Sequence, residues 1–197
     1  MHDCTACITF TPEKDAYVAQ YYPDTNFGLS PYLFTNRFEG NCDIYRAYIK
    51  FDLCSMLCNQ IPPNSCITYA CLEFPLSRNE VPPCDNTLYV YRVLQDWAEE
   101  GITWNNQPIT ALIPDGSTTI TSYDDCINID ITELVNWWYS GFYANFGLQL
   151  RCDECLDSLL GFFSREYPNS DYWPRLTVYY YENCCCPFSN GIGEPTI

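Results

Sequence analysis

Between Tyr45 and Leu53 apolar side chains recur at every second position, with Tyr45, Ala47, Ile49 and Phe51 on one face. That is the period of a half-buried β-strand. Thr87 to Leu94 alternates too, with Leu88, Val90 and Arg92 on one face and Tyr89, Tyr91 and Val93 on the other. Cys66 to Leu76, preceded by the breaker Pro62-Pro63, predicts a long strand. Shorter segments at 17–19, 32–34, 127–131, 146–151, 159–164 and 176–181 predict more. Turn chemistry separates them at Asp115-Gly116, Ser140-Gly141 and Tyr167-Pro168-Asn169. One segment has helical spacing instead: Ile131, Leu134, Val135 and Trp138. Thr132 can cap it and Gly141 can end it, which predicts a short helix over 132–140. Many short strands and one helix predict an all-β fold, a jelly-roll-like β-sandwich, over residues 15–181. Residues 1–14 and 182–197 lie outside the strand pattern and read as terminal arms.

At 197 residues the chain is long enough for one well-buried core. Its net charge of −16, with nine basic residues, repels phosphate backbones and argues against nucleic acid as a partner. No apolar run reaches membrane-spanning length, so no membrane insertion is expected.

Fourteen cysteines change the picture more than the charge does. Cys184-Cys185-Cys186 follow the last predicted strand. Bridges between adjacent cysteines are strained, so these three look to other parts of the chain, to other chains or to a metal. Cys4 and Cys7 stand at the opposite end. Cys4, Cys7, Cys184, Cys185 and Cys186 are therefore candidates for intersubunit disulfides. Cys42, Cys54, Cys58, Cys66, Cys71, Cys84, Cys126, Cys152 and Cys155 are the other disulfide candidates. Cys4-x-x-Cys7 with Cys152-x-x-Cys155, or Cys54-x-x-x-Cys58 as a half-site, is the zinc alternative. Met1 to Cys7 shows no basic region followed by an apolar stretch, so it does not read as a secretory signal. Disulfides then need a removed signal, or oxidation after the producing cell lyses, as for material laid on a spore.

Several segments resemble the DNRLRE domain family. They are Asp15-Ala16-Tyr17-Val18 with Asn26-Phe27-Gly28, then Arg46 to Leu53, then Ile67 to Leu72. Trp97-Ala98-Glu99 with Ile102-Thr103-Trp104-Asn105 continue the series. Ile129-Asp130-Ile131-Thr132 through Trp137, Asn145-Phe146-Gly147-Leu148, Phe163-Ser164-Arg165-Glu166 and Pro174-Arg175-Leu176 complete it in collinear order. The resemblance implies a jelly roll like that of carbohydrate-binding modules, in surface or wall-associated proteins, some of which bind polysaccharide. It does not extend to the cysteines or the arms.

Catalysis finds little support. The single histidine, His2, lies in the N-terminal arm, which leaves no Ser-His-Asp or Cys-His pairing for the core. Asp96, Glu99, Glu100, Asp124 and Asp125 are glycosidase candidates by residue type alone, and no catalytic residue is assigned. Trp97, Trp104 and Trp137 sit on motif positions and read as core. Trp138 and Trp173 depart from the motif and read as surface rings able to stack on sugars. Calcium is a candidate ion around Asp15, Asn26 and Asp130. These readings converge on an extracellular or spore-surface structural subunit that polymerises with copies of itself through disulfide-bearing arms. The alternative is a polysaccharide-binding module of a surface protein.

Overall fold

The computed structural model describes residues 5–40, 42–53, 61–81 and 86–182. Among them the order is β1 (Ala6–Phe10), β2 (Lys14–Ala19), β3 (Tyr32–Arg37), β4 (Ile44–Lys50), β5 (Cys66–Asn79), β6 (Asn86–Arg92), β7 (Gly116–Ile120) and β8 (Cys126–Asp130). Helix α1 (Thr132–Tyr139), β9 (Leu148–Arg151), β10 (Leu160–Phe163) and β11 (Arg175–Tyr181) follow. All strand pairs in the ladders are antiparallel.

Two layers face each other. One runs β1-β11-β5, with β8 also on β5; the other runs β4-β9-β6-β7, with β2 on β4. The layers join because β5 is long. Its residues 66–75 pair with β11 and β8, while its end, Leu76 to Asn79, pairs with β10. β10 pairs in turn with β3, and β3 with β4. The predicted jelly-roll-like sandwich is thus a single curled sheet folded over one core. Phe74, Leu72, Ile129 and Val178 from the first layer meet Ile49, Leu88, Val90 and Leu150 from the second. Each such side chain contributes about 1.5–3 kcal/mol by leaving water.

Alternation in β4 holds as predicted, but both faces are covered. Ala47 and Ile49 enter the main core. Tyr48, on the opposite face, joins a second cluster with Ala16, Val18, Val93, Trp97 and Ile102. The segment after β6 therefore lies over the outside of the second layer.

Helix α1 forms where the spacing predicts it, and Leu134, Val135 and Trp138 are its buried residues. Its start differs from expectation. Asp130 accepts the Thr132 N–H at 2.9 Å, while the Thr132 hydroxyl accepts the Ala70 N–H, so the helix is tied to β5 rather than capped by Thr132. Gly141 ends it as predicted, at φ +74°. The Gly141 N–H donates to the Trp138 carbonyl and the Phe142 N–H to that of Trp137, a Schellman closure.

Two strands went unpredicted. Ala6–Phe10 falls in the stretch read as an arm, yet it pairs along β11 with Phe10 buried and Ala6 and Ile8 against the core. β7 begins at Gly116, read as a turn; its Ser and Thr residues give no apolar face, and only Ile120 is buried in it.

The two Asn-x-Gly motifs use one device. The Asn26 and Asn145 side chains each accept the N–H of the glycine two residues on. Each amide also donates across to a neighbouring segment, Asn26 to the Glu99 and Ile102 carbonyls and Asn145 to that of Phe51. At Gly147, φ is +94° and a Cβ would stand 2.5 Å from the Ile49 carbonyl oxygen. Gly147→Ala is expected to cost about 2–4 kcal/mol, combining left-handed strain with a backbone clash. Chemical denaturation against the parent protein measures it.

Candidate functional site

Alternation places aromatic rings on the outside of β3 and β10. Leu33 and Thr35, and Leu160 and Phe162, are buried, while Tyr32, Phe34 and Phe163 are half-buried. Register sets Tyr32 opposite Phe163 and Phe34 opposite Gly161. Phe34, Ser77 and Arg78 close over Gly161, where a Cβ would stand within 3.0 Å of each. The result is a shallow groove of about 370 Å³ lined by Tyr32, Phe34, Ser77, Arg78, Phe163 and Tyr167.

The groove belongs to a longer run of rings. Phe163 touches Tyr167 at 4.5 Å and Tyr172 at 4.7 Å between centroids, and Tyr32 touches Phe163 at 5.9 Å. From Phe34 the run continues to Tyr17 at 5.3 Å, and Tyr17 stacks on Phe27 at 4.4 Å. Tyr22 and Tyr21 extend it into solvent at 51% and 66% exposure, and Tyr172 ends the other side at 44%. Burial pushes the Tyr17 phenol up to about 12 and raises that of Tyr45 as well. Both phenols are protonated at neutral pH and can donate hydrogen bonds. Rings with apolar faces and hydroxyl edges, beside a serine and an arginine, suit a sugar's C–H face and its hydroxyls. Arg78 is already engaged: it bonds Glu80 at 2.6 Å and lies 4.8 Å over the Phe38 ring.

A second constellation gathers at one end of β2. Asp15 is 1% exposed, and its Oδ2 accepts the Arg165 backbone N–H at 2.9 Å. Glu99 accepts the Asp15 N–H at 2.8 Å. The Arg165 Nε sits 2.9 Å from Glu166 and 3.3 Å from Glu99. Burial, then the neighbouring Glu166 and Glu99 charges, hold the Asp15 carboxyl well above the usual carboxylate range, with the Arg165 N–H opposing. Burial raises Glu99 too. Asp15, Asn26, Glu99 and Ser164-Arg165-Glu166 are all motif residues, far apart in sequence and joined here. Lys14 holds the loop in place by bonding Asp96 at 2.9 Å and lying over the Trp97 ring. Asp96 is therefore paired, Asp124 accepts the Thr121 N–H in a turn, and neither joins this cluster.

The proposed sugar-stacking tryptophans do not line the groove. Trp138 is 6% exposed in the main core, because its helical spacing from Leu134 and Ile131 turns it inward with them. Trp173 is half-buried, and its indole donates to the Tyr167 carbonyl at 2.8 Å. It braces the turn that carries Tyr167. Trp97 is buried as expected, while Trp104 and Trp137 are only half-buried, each under an arginine, Arg46 and Arg92.

Cys4, Cys54, Cys58, Cys84, Cys184, Cys185 and Cys186 lie outside the described residues. Cys7, Cys42, Cys71, Cys126, Cys152 and Cys155 are thiols here. Cys71 and Cys126 sit on paired strands, but Cys71 faces Asp130 and Cys126 faces Pro75. That offset of roughly 13 Å exceeds what a disulfide spans. Cys152 is buried, which raises its thiol pKa and keeps it unreactive. Cys66 starts β5 opposite Tyr181. Among the described residues no cysteine belongs to a group able to hold zinc; the one such cluster is Asp15, Glu99 and Glu166. No described helix is long and apolar enough to cross a membrane.

Carbohydrate-binding module family 96 matches residues 6–179, and the chain belongs to that family. The match spans the fold from β1 to β11 and carries the carbohydrate-binding-module part of the resemblance, without the DNRLRE name. No curated protein matches the chain. Of the two expected functions, the family supports the alternative, polysaccharide binding, over the fibre subunit.

Proposed function

We propose that this protein is a non-catalytic polysaccharide-binding module whose binding surface is the aromatic groove between Tyr32, Phe34, Phe163 and Tyr167, extended by Tyr172. The observation carrying this is the continuous set of half-exposed rings on β3, β10 and the turn that follows, lining one groove. The ligand class follows from charge. At −16 the protein repels polyanions, so uncharged glucans, xylans or mannans fit better than alginate or pectate. Affinity electrophoresis through gels containing each polysaccharide tests it. Retardation by an uncharged glycan and free migration in alginate are expected. Migration unchanged in every uncharged gel would overturn the reading.

The fibre reading keeps one observation. Cys7 is exposed on β1, which ends the sheet among the described strands. An extracellular or spore-surface setting belongs to that proposal, since bridges through Cys7 require oxidising conditions. Native material would then migrate as covalent multimers without reductant and as monomer with it. Monomer in both lanes would end the reading.

A further inference from the structure

We propose that Asp15, Glu99 and Glu166 form a calcium site at the junction of β2, the Trp97–Gly101 loop and the turn after β10. Each offers one carboxylate oxygen, and the three lie within 4.8 Å of one another. Calcium holds oxygens at about 2.3–2.6 Å, so opposed ligands around it stand up to about 5 Å apart. The donor set is all oxygen, which suits a hard cation rather than zinc.

Asp15 supplies the independent observation. Its Oδ1 is buried and has no hydrogen-bond partner. The groups that face Asp15 are the Glu166 and Glu99 carboxylates and the Arg165 backbone and guanidinium. A buried carboxylate oxygen without a donor, on a side chain that faces two other carboxylates, is costly unless a positive charge joins it. Arg165 provides only one. With all three ionised, as a bound cation would hold them, three carboxylates and one guanidinium leave two negative charges, the complement of a divalent ion. The nearby lysines are committed elsewhere, Lys14 to Asp96 at 2.9 Å and Lys50 to Glu13 at 2.9 Å.

The position gives the ion a role. Asp15 lies on β2, Glu99 on the loop that Asn26 grips through its carbonyl, and Glu166 on the turn leading to Tyr167. An ion bound by all three cross-links segments that the backbone ladders leave to side-chain hydrogen bonds. It also stiffens the turn that presents Tyr167. The site does not depend on the glycan-binding reading.

The test uses the full chain, stripped with EGTA and titrated with CaCl2. Isothermal calorimetry should show one saturable site. A hundredfold excess of calcium over Kd should raise the thermal midpoint by about 5 °C or more, reversed by EGTA. Asp15→Asn should weaken calcium binding by at least about tenfold, as fewer charged ligands remain. If that variant does not fold, Glu166→Gln makes the same comparison, and the parent titration stands by itself. No saturable binding and an unmoved midpoint would overturn the proposal and leave a shared proton between Asp15 and Glu166. Saturable binding equally strong in the variants would overturn it as well, placing the ion elsewhere on the acidic surface.

Discussion

Replacing Tyr32 and Tyr172 together by alanine is expected to abolish retardation by the bound polysaccharide while leaving the fold intact. A stacked ring lost from a binding platform costs about 1–3 kcal/mol in comparable aromatic platforms, so each substitution should weaken binding roughly tenfold and the pair roughly a hundredfold. Tyr172 sits on a short 3-10 turn, Ser170–Tyr172, at 44% exposure, so its loss removes little core packing. Tyr32 faces out from β3 between Phe163 and Tyr167, and its truncation opens the middle of the groove. Tyr123 provides the control. It is 94% exposed but makes none of the ring contacts of the groove, so Tyr123→Ala should bind as the parent does. Loss of binding by Tyr123→Ala with retention by the groove pair would place the surface elsewhere.

Much of the scaffold is legible from alternation alone. β4 and β6 stand where period-two patterning puts them, and β5 and β11 cover the segments predicted as strands, because each has at least one face against the core and its apolar residues cannot be moved by one position without exposing them. β7 is illegible for the converse reason: an edge strand of Gly, Ser and Thr has no buried face to mark it. β1 carries a true alternation at Ala6, Ile8 and Phe10. The run is only five residues long and the exposed Cys7 interrupts it with a residue type common in both cores and cross-links, so it does not stand out as a strand.

The groove was less legible than the scaffold. Tyr32 and Phe163 are far apart in sequence and meet only because β10 joins the end of β5 to β3, a pairing that no local pattern encodes. The acidic cluster was half legible. Its residues stand in the motifs at Asp15, Glu99 and Glu166, but their convergence depends on the fold closing. Arg165-Glu166 reads from sequence as a loop ion pair; the structure adds to it Glu99 and the Asp15 carboxylate, which accepts the Arg165 backbone N–H. Trp138 falls off the motif positions, yet its spacing from Leu134 and Val135 in α1 places it on the buried face with them.

Trp138 therefore yields a prediction opposite to the one a surface ring would give. Trp138→Ala should destabilise the protein by about 3–5 kcal/mol, the range for truncating a large buried aromatic. For a chain of this length that lowers the thermal midpoint by roughly 6–20 °C. Glycan affinity measured well below the new midpoint should equal that of the parent, since the ring packs among Leu134, Val135 and the residues of β5 rather than in the groove. Trp138→Phe refines the test. The indole Nε1 is buried without a hydrogen-bond partner. An unsatisfied donor costs about 1–3 kcal/mol. Phenylalanine removes that donor while keeping most of the apolar ring, so the relief offsets the lost volume and stability should stay within about 1–2 kcal/mol of the parent. The reverse pattern, an unmoved midpoint with lost glycan binding in Trp138→Ala, would return this ring to the surface and with it the face of α1.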